Sequence, residues 1–585
     1  MKTIVFRKVA TLLSAGLLCL CAQSQTFQVT TTADSGPGSL RDAITTAVAA
    51  GGGTIIFTNV SGMVSLQSAL PDISGNLRIL GNGPANVAIN TYRTNRVFNV
   101  LPGAICNISD LTVQGSGPSI GGYPYPLTAS VAIVNAGTMS ISNCFFHDNG
   151  SGSSSGGGGG AISSGGGGLV LNNVILSNNL AYGSSALAAS NVRATNCLFI
   201  GNIAGDVPPI SVGGDSVFSD TTFTQNKASF ATGGGGIAAG YFPGPNPGVN
   251  LTLLNCSVLH NLGDHDSGGI YFKGDSLTIS NCVINNNTAG HFGGINAAAT
   301  NILILNSTIS GNSADSYGGM TLSGNCTING CTISSNVNAF TYFGGGVTAW
   351  GTLNMTNCTI SGNRGRYYPG VGVYCGSGST RAVNCTIAFN GVGVNNLFDG
   401  FTNTFYALNT IIANNGTGPT NGDILGTLTS QGHNLIGNLN TNMTIVGSTN
   451  KDIYGVDPRL GPLQNNGGLT LTHALMRASP AINAGTSTGA PLTDQRGIAR
   501  PCGTEVDIGA FEYDALLFTD ISRVNSTNIH LQLEGPPSSV CTIQASSNFL
   551  DWENVFVSGN GTGVWEFVDQ DAGNHPNRFY RAFTQ

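Results

Sequence analysis

The chain is poor in charged residues. Only 8% of its 585 residues are Asp, Glu, Lys or Arg, and the 21 basic residues are outnumbered by 28 acidic ones. Binding to nucleic acid depends on clustered positive charge, so we expect no nucleic-acid partner. Beyond the N-terminus no uninterrupted apolar run reaches the roughly 18 residues that a membrane-spanning helix needs. No membrane-spanning segment is therefore predicted.

Helical periodicity is also missing. Apolar residues do not recur at a sustained 3.6-residue spacing, which excludes a helical solenoid. The chain instead has 85 glycines. Short alternating apolar and polar runs separated by Gly and Asn are typical of β-strands joined by tight turns. We therefore expect an all-β protein.

One repeated motif dominates the sequence. A variant of Asn-Cys-Thr-Ile-Ser-x-Asn occurs eleven times between residues 140 and 416, at intervals of 23 to 35 residues. The residue two positions after the Cys is apolar in every copy, and the residue five positions after it is always Asn. A fixed period with such register is the signature of a solenoid. The residues at the Cys position, here called anchors, are Cys144, Val174, Cys197, Thr221, Cys256, Cys282, Ser307, Cys331, Cys358, Cys385 and Thr410.

Each copy of the motif predicts short strands. Alternation in residues 277–285 puts Cys282 and Ile284 on one face and Val283 on the other. Asn281 lies at the break between two runs, and Asn suits a tight bend because it tolerates the left-handed backbone region. A Gly-rich entry to a third strand follows each copy. Three short strands in about 25 residues predict a right-handed parallel β-helix.

The repeated Asn residues predict hydrogen-bonded ladders. Stacked coils lie about 4.8 Å apart, so equivalent side-chain amides of adjacent coils can bond to each other. The anchors become a file of small buried side chains, and we expect their cysteines to be free thiols because in-register stacking does not suit a disulfide. A disulfide framework, common in exported proteins, is the alternative. The ladder residues that we select are Asn281, Asn287, Asn306, Asn312, Asn357 and Asn363.

The N-terminus predicts export and a cap. Residues 1–24 combine basic residues, an apolar stretch and a small-residue cleavage site, which is typical of a signal peptide. Residues 25–105 are assigned to an N-terminal cap and the first coils, with a short helix near residues 40–49 covering the open end. Asp-Ser-Gly-Pro-Gly-Ser-Leu-Arg-Asp-Ala-Ile at residues 34–44 resembles the N-terminal segment of many bacterial surface β-helix proteins. Residues 106–460 are assigned to the repeats.

The region after the repeats contains several distinctive motifs. They are Gln464-Asn-Asn-Gly-Gly-Leu-Thr-Leu-Thr-His-Ala-Leu, Ser479-Pro-Ala-Ile-Asn-Ala-Gly, Asp494-Gln-Arg-Gly and Asp507-Ile-Gly-Ala-Phe-Glu-Tyr. They closely resemble the choice-of-anchor Q domain, in which Asp is usual at the position of Asn483. The resemblance implies that residues 461–514 form a C-terminal structural cap in which Asp–Arg pairing closes the last coil. Asp494, Asp507, Glu512 and Arg496 would then be structural rather than catalytic.

The remaining residues, 515–585, predict a small β-sandwich. Short alternating runs fill this segment. It resembles a C-terminal module of many large secreted bacterial proteins. Trp552 and Trp565 are able to stack on sugars, but we expect both rings to fill the core of the sandwich.

The period brings one group of polar and aromatic residues to the same side of successive coils. The candidate catalytic residues are His265, Asp266, His291 and Asp315, and the candidate ligand-binding residues are Tyr271, Lys273, Tyr317, Tyr342, Trp350 and Tyr374. A file of exposed aromatic rings with His and Asp suits an extended glycan, proton exchange or a metal. The plainer interpretation is a set of loop residues folded over the edge of the coils.

The expected fold resembles that of the pectate-lyase-like superfamily, whose members commonly act on polysaccharides. Glycoside hydrolases need paired carboxylates, and the lyases need carboxylate-bound calcium with a basic Arg or Lys. The family motifs Asn-Thr-Asp, Gly-His-Gly and Arg-Ile-Lys are absent. We therefore expect a monomeric protein, secreted or on the bacterial outer surface, that serves adhesion, glycan binding or structural display without a metal or cofactor. The alternative is a polysaccharide lyase or glycoside hydrolase acting on an extended glycan, for which calcium is the candidate metal.

Overall fold

A computed structural model describes most of the chain. The described residues are 25–90, 96–115, 131–151, 160–181, 185–205, 207–229, 233–240, 248–340, 344–367, 369–397, 403–416, 422–514, 516–535, 540–559 and 563–584. They form a solenoid of three parallel sheets, here called A, B and C, followed by a non-repetitive segment and a small antiparallel module. This confirms the predicted all-β parallel solenoid. Within the described residues no helix has the length and apolar character to cross a membrane.

Sheet A contains 22 strands. In several coils the Gly-rich strand and the run before the first Asn form one long bent strand, as in Ile270–Ser280 with 11 residues and Gly344–Thr356 with 13. The prediction of separate strands is corrected there, because glycines such as Gly324 (φ 126°) and Gly351 (φ 131°) let one strand bend without ending. The strands are Thr26–Val29, Gly52–Phe57, Asn76–Leu80, Phe98–Val100, Ile105–Ser109, Ile133–Asn135, Thr138–Ser142, Ile162–Asn172, Leu187–Thr195, Ile210–Val212, Ser216–Ser219, Ile237–Ala239, Asn250–Leu254, Ile270–Ser280, Ile295–Leu305, Met320–Asn329, Gly344–Thr356, Val371–Val383, Val392–Asn395, Asn403–Leu408, Ile424–Ser430 and Met443–Gly447.

Sheet B contains 16 short strands that include the residues just after each anchor. They are Gly62–Ser65, Val87–Asn90, Thr112–Gln114, Phe145–His147, Ile175–Ser177, Leu198–Ile200, Thr222–Thr224, Ser257–Leu259, Val283–Asn285, Thr308–Ser310, Thr332–Ser334, Thr359–Ser361, Thr386–Ala388, Ile411–Ala413, Leu435–Ile436 and Ile453–Tyr454.

Sheet C contains nine strands of two residues each, where the sequence predicts a polar loop. They are Gly150–Ser151, Leu180–Ala181, Ile203–Ala204, Lys227–Ala228, Leu262–Gly263, Thr288–Ala289, Ser313–Ala314, Val337–Asn338 and Arg364–Gly365.

In the eleven copies of the motif, a left-handed residue turns the chain on either side of the sheet-B strand. Asn281, which precedes its anchor, has φ 54°, in agreement with the expected bend. A second left-handed residue, Asn286 with φ 55°, lies four positions after the anchor and is not anticipated from the sequence. Asn and Gly are the residues that adopt this conformation at least cost, which explains their abundance at these corners.

The interior of the solenoid is a continuous apolar core. Leu277, Ile279, Cys282 and Ile284 point inward from one coil and are at most 1% exposed. The same inward positions are filled in the neighbouring coils. The structure describes twelve cysteines, and all of them are buried free thiols.

A helix covers the N-terminal end of the core. It spans Leu40–Ala49, and the side chain of Ser39 accepts a hydrogen bond from the backbone N–H of Asp42, which caps the helix. Leu40 and Ile44 are completely buried in the solenoid core. This confirms the predicted N-terminal cap.

Residues 461–514, here called the strap, lie along the side of the solenoid rather than across its end. Thr470 donates to the carbonyl of Gly330, Asn357 to the carbonyl of Thr493, and Asn409 to the carbonyl of Thr486, each at 2.8 Å. The strap therefore covers the outer face of sheet B over several coils, and the expectation that it closes the last coil is corrected.

Small side chains on sheet B make room for the strap. Thr332 and Thr359 point outward, yet both are completely buried. The equivalent Ile175 and Val283 of earlier coils are 37% and 39% exposed. A bulky outward residue would keep the strap away from the sheet, whereas a threonine lets it approach to hydrogen-bonding distance.

The charged residues of the strap pair with one another. The Arg496 guanidinium contacts Asp494 at 2.8 Å and Asp514 at 3.2 Å. Arg500 pairs with Glu512 at 2.5 Å, and both side chains are almost completely buried. Because both partners of each pair belong to the strap, these pairs stabilise the conformation of the strap itself. Its two strands, Leu460–Gln464 and Thr472–Leu475, form an antiparallel hairpin.

The C-terminal module consists of two three-stranded antiparallel sheets. One contains Leu517–Arg523, Ile529–Glu534 and Val564–Asp569, and the other contains Val540–Ser546, Glu553–Gly559 and Phe579–Thr584, with a 3-10 turn at Ala572–Asn574. Trp565 is 2% exposed and lies in the core of the module, as expected. Trp552 does not, which corrects the expectation for this ring: it is half-buried at the surface, with the Arg581 guanidinium 4.2 Å from its centroid.

Candidate functional site

Several of the candidate residues lie at or near the corner between sheets C and A. Backbone bridges align Ser267 with Phe292 and Phe292 with Tyr317, so the residues just before them occupy equivalent positions in three coils. The backbone N–H groups of Phe340 and Tyr367 continue this series by bonding to the preceding coil at Asp315 and Ala339. The resulting file, here called the corner column, consists of Asp266, His291, Ser316, Phe340 and Tyr367.

The structure brings two of the four candidate catalytic residues together. Asp266 and His291 occupy successive positions of the corner column, and Asn296 donates from Nδ2 to Asp266 Oδ1 at 3.3 Å. Burial raises the pKa of the Asp266 carboxyl, while the Asn296 hydrogen bond and the nearby His291 act to lower it. Asp266 is half-buried and His291 is exposed. A carboxyl group beside an imidazole is a pair of side chains able to take part in proton transfer.

The other two candidates lie apart from this pair. The coil of His265 has one more residue between its sheet-C strand and the bridge at Ser267 than the next coil has, so His265 is an inserted residue. Asp315 follows its sheet-C strand directly and is equivalent to Asp264. Asp264 forms an ion pair with Lys227 at 3.3 Å. His265 and Asp315 are both exposed.

The outer face of sheet A adjoins the corner column. Pairing of the long strands aligns Tyr271 with Asn296, then with Thr321, Thr348 and Tyr374 in later coils. Tyr374 points outward but is only 2% exposed, and burial raises the pKa of its phenol. The expectation that Tyr374 is open to ligand is therefore corrected.

A second outward file contains the remaining candidates on sheet A. It aligns Lys273 with Ala298, Ser323 and Trp350. Lys273 is exposed and Trp350 is half-buried, with its ring centroid 6.3 Å from that of Tyr374. Tyr342 lies outside the described residues.

Aromatic rings stack along the corner. The rings of Phe292 and Tyr317 are stacked and nearly parallel, with centroids 5.1 Å apart and an interplanar angle of 7°. Phe340 and Tyr367 stack at 5.2 Å and 18°, and they are 58% and 61% exposed. Two adjacent exposed rings form a contiguous apolar patch, and such patches mark interaction sites more often than single exposed residues do.

Sequence reasoning missed part of this aromatic and basic end. Phe340 was not among the candidates, although it lies nine residues after its anchor, as His291 and Tyr367 do. Arg364 and Arg366 are exposed beside Tyr367, and the Arg366 guanidinium lies 5.6 Å from the Tyr367 ring centroid. The constant distance from the anchor was the signal that could have identified Phe340.

A comparison with protein families agrees with this architecture. Residues 210–411, about a third of the chain, match the family model described as a right handed beta helix region. The solenoid is a right-handed β-helix. No curated protein matches the chain significantly.

Several solved structures are similar to the chain at low identity. The catalytic unit of a GH87 α-1,3-glucanase from Streptomyces thermodiastaticus strain HF3-3 is 13% identical, with 65% of this chain and 67% of that chain covered and a TM-score of 0.35. Pectate lyase Pel9A is 14% identical (84% and 98% covered, TM-score 0.28). The A-module of mannuronan C-5 epimerase AlgE4 from Azotobacter vinelandii is 12% identical (74% and 98%, TM-score 0.26). Similarities this low say nothing about function.

The β-helix contains a continuous ladder of buried amides. Asn312 Nδ2 donates to Asn336 Oδ1 at 3.0 Å and to the carbonyl of Ile284 at 2.9 Å. Its Oδ1 accepts from the backbone N–H of Asn287 at 3.0 Å and from Asn287 Nδ2 at 2.9 Å. The same pattern includes Asn363 and runs from Asn149 to Asn415.

A carboxylate ends the ladder. Asn415 Nδ2 donates to Asp423 Oδ1 at 2.8 Å, and burial raises the pKa of Asp423. In each side-chain pair of the ladder, the earlier asparagine donates to the oxygen of the next one, so the group that follows Asn415 needs only to accept. Asp423 satisfies this requirement.

The other Asn column is less regular. Asn281 Nδ2 donates to Asn255 Oδ1 at 3.2 Å, and Asn306 has the same left-handed backbone with φ 47°. Asn357 donates instead to the strap at Thr493, so its assignment to a ladder is corrected. These residues are more important for the corner conformation than for a continuous ladder.

Among the residues that the structure describes, no group of three or more His, Cys, Asp or Glu is arranged to hold a metal ion.

Proposed function

We propose that this protein binds an extended polysaccharide along the corner column and the adjoining outer face of sheet A, without chemical conversion of it. The observation that carries the proposal is the stacked and strongly exposed pair of Phe340 and Tyr367. Aromatic rings present apolar faces and edges to sugar C–H groups, and neighbouring polar groups bond to the hydroxyls. Covering such exposed apolar surface with a ligand removes it from water, which favours binding.

The length of the column favours a polymer over a small ligand. From Asp266 to Tyr367 it crosses four coil steps, which is about 19 Å at the spacing of parallel strands. One end has the carboxylates Asp264 and Asp266, and the other has the cation Arg366 beside Tyr367. This polarity would orient an anionic glycan with its charged groups at the arginine end.

The cellular setting forms part of the same proposal. Residues 1–24 would act as a signal peptide, and the protein would function outside the cell or on the bacterial surface as a monomer. The strap would correspond to a segment of the choice-of-anchor Q type, supported here by its buried Asp–Arg and Glu–Arg pairs. No cofactor is needed for binding of this kind.

A second candidate function is a polysaccharide lyase or glycoside hydrolase. The specific observation in its favour is the half-buried Asp266, whose pKa is raised, beside Asn296 and His291. A carboxyl group with a raised pKa suits a general acid, and His291 suits a base. Calcium is the metal that such a lyase would be tested with.

One experiment separates the two functions. The full chain is screened for binding to acidic and neutral polysaccharides, and each mixture is assayed for new reducing ends and unsaturated products with and without calcium. The double variant Phe340→Ala/Tyr367→Ala should lose binding, while Val283→Ala, an exposed apolar residue on sheet B, should retain it. Equal binding by both variants would refute the binding proposal. Product that disappears in Asp266→Asn would establish the enzymatic alternative.

A further inference from the structure

Phe389 occupies a backbone position that suits a phenylalanine poorly. The residue four positions after each anchor is left-handed in every coil of the motif, and Phe389 has φ 60°. Its ten counterparts are Asp148, Asn178, Gly201, Gln225, His260, Asn286, Gly311, Ser335, Gly362 and Asn414, all of them polar or glycine. A bulky side chain here costs about 1–2 kcal/mol relative to glycine. Strain of this size commonly persists where the side chain has a function.

Burial does not account for this phenylalanine. Phe389 is 40% exposed. Its ring contacts His473 of the strap, with centroids 5.0 Å apart and an angle of 48°. His473 is held in place by Ser361 Oγ at 2.8 Å and the carbonyl of Gly461 at 2.7 Å. The strap therefore fixes one side of the ring and leaves much of the rest open.

Two cavities flank Phe389 and share it as a wall. One, of about 410 Å³, is lined on its polar side by Arg364, Asn390 and Asn414. The other, of about 340 Å³, lies between sheet B and the strap and is lined by Ser335, Leu463 and His473. Both are open to solvent, and their volumes are comparable to those of small-ligand sites. The two cavities, with the Phe389 ring between them, are here called the groove.

The groove has an electrostatic direction. Arg364 is exposed at one end, and no ion pair involves it among the residues that the structure describes. Two coils further along the same cavity, Asn414 Nδ2 donates to Asp457 Oδ1 at 3.4 Å, which places a carboxylate there. An anionic group would therefore bind at the Arg364 end.

We propose that Phe389 is the stacking platform of a saccharide-binding groove, in which an acidic substituent of the sugar pairs with Arg364. The groove lies between the strap and the corner of sheets B and C, and its function does not depend on the corner column. Either a carboxylate or a sulfate ester would satisfy the guanidinium. The strained phenylalanine is retained because asparagine, which suits the backbone better, provides no ring face.

The test uses the full chain carrying Phe340→Ala/Tyr367→Ala, so that binding at the corner column does not contribute. Hexagalacturonate, a carrageenan-derived sulfated oligosaccharide and cellohexaose are the probes, measured by isothermal titration calorimetry. Phe389→Asn is then added, since Asn is the residue found at Asn286 and Asn414. Arg364→Gln is made in parallel. Thermal unfolding is recorded for every variant.

Phe389→Asn should weaken binding of the acidic probe at least tenfold and raise the unfolding midpoint, because it removes left-handed strain. Arg364→Gln should weaken acidic probes and leave cellohexaose unchanged, and the stronger of the two acidic probes identifies carboxylate or sulfate. Unchanged binding in Phe389→Asn would overturn the proposal, as would a lowered midpoint, which would show a purely structural ring. Failure of all three probes to bind the background variant would also overturn it, whatever the corner column does.

Discussion

Replacing Asn312 with alanine should weaken the centre of the β-helix by about 4 kcal/mol. The side chain of Asn312 is completely buried and takes part in four hydrogen bonds, two as donor and two as acceptor. At about 1 kcal/mol for each bond, their loss gives that figure. The backbone N–H and one Nδ2 hydrogen of Asn287 lose their acceptor and remain buried, so a smaller effect is not expected.

Two further substitutions separate acceptor from donor function in the ladder. Asn312→Asp keeps the acceptor oxygen, removes both donor bonds and adds a buried charge, so it should destabilise more than Asn312→Ala. Asp423→Asn, at the ladder's end, keeps one acceptor and should cost only about 1–3 kcal/mol, mainly because the backbone N–H of Asn438 loses its carboxylate partner.

Local hydrogen exchange is the suitable assay, because a solenoid can open coil by coil rather than in one step. Protection of the backbone amides of Asn287 and Asn312 reports opening at the mutated coil. Asn325→Ala, an exposed asparagine on sheet A, is the matched control and should change protection little. A loss below about 1 kcal/mol in Asn312→Ala would refute the reasoning that these bonds carry the stability of the ladder.

Three further predictions concern other parts of the chain. Burial lowers the pKa of His473 below its ordinary 6.5. The backbone amides of the strap should therefore be fully protected from hydrogen exchange above pH 6.5, and this protection should fall as the pH drops through the lowered pKa. Hydrogen exchange from pH 8 to 5 measures this, and His473→Gln should remove the pH dependence. A Cβ at Gly269 would lie 2.4 Å from the carbonyl oxygen of Gly294, so Gly269→Ala should lower the urea midpoint and Ala298→Ser, at an exposed site, should not. Trp565→Ala should destabilise the C-terminal module by about 3–5 kcal/mol and Trp552→Ala by much less, as fluorescence-monitored unfolding would show; equal losses would contradict the assigned burial.

The repeat made most of the β-helix predictable from the sequence. Cys282, Asn281 and Asn287 recur at fixed offsets, and strand alternation then assigns each side chain to the interior or the surface. The helix Leu40–Ala49 was predictable because a capping serine precedes an amphipathic run. These features depend on contacts within one coil or between adjacent coils, which the period itself encodes.

The strap and the groove were not predictable in the same way. The strap contacts residues more than a hundred positions earlier, such as Gly330 and Asn357. The part of sheet B that the strap covers differs from the uncovered part in its outward residues, for example Thr359 where an earlier coil has Val283. The burial of Tyr374 likewise depends on tertiary packing that alternation does not reveal. Phe389 differs from its equivalents in the other coils only in being apolar. This difference has a meaning only once the backbone at that position is known to be left-handed.

The one-way direction of the amide ladder has a consequence for how such a chain can lengthen. Removing or duplicating a whole coil between Asn149 and Asn415 leaves every donor opposite an acceptor at the new junction. A coil added after Asp423 would find a carboxylate with no hydrogen to offer, and its own asparagine would have an unpaired oxygen. Evolution and protein engineering can therefore change the length of the ladder by internal duplication, whereas its extension beyond Asp423 is blocked by a single side chain.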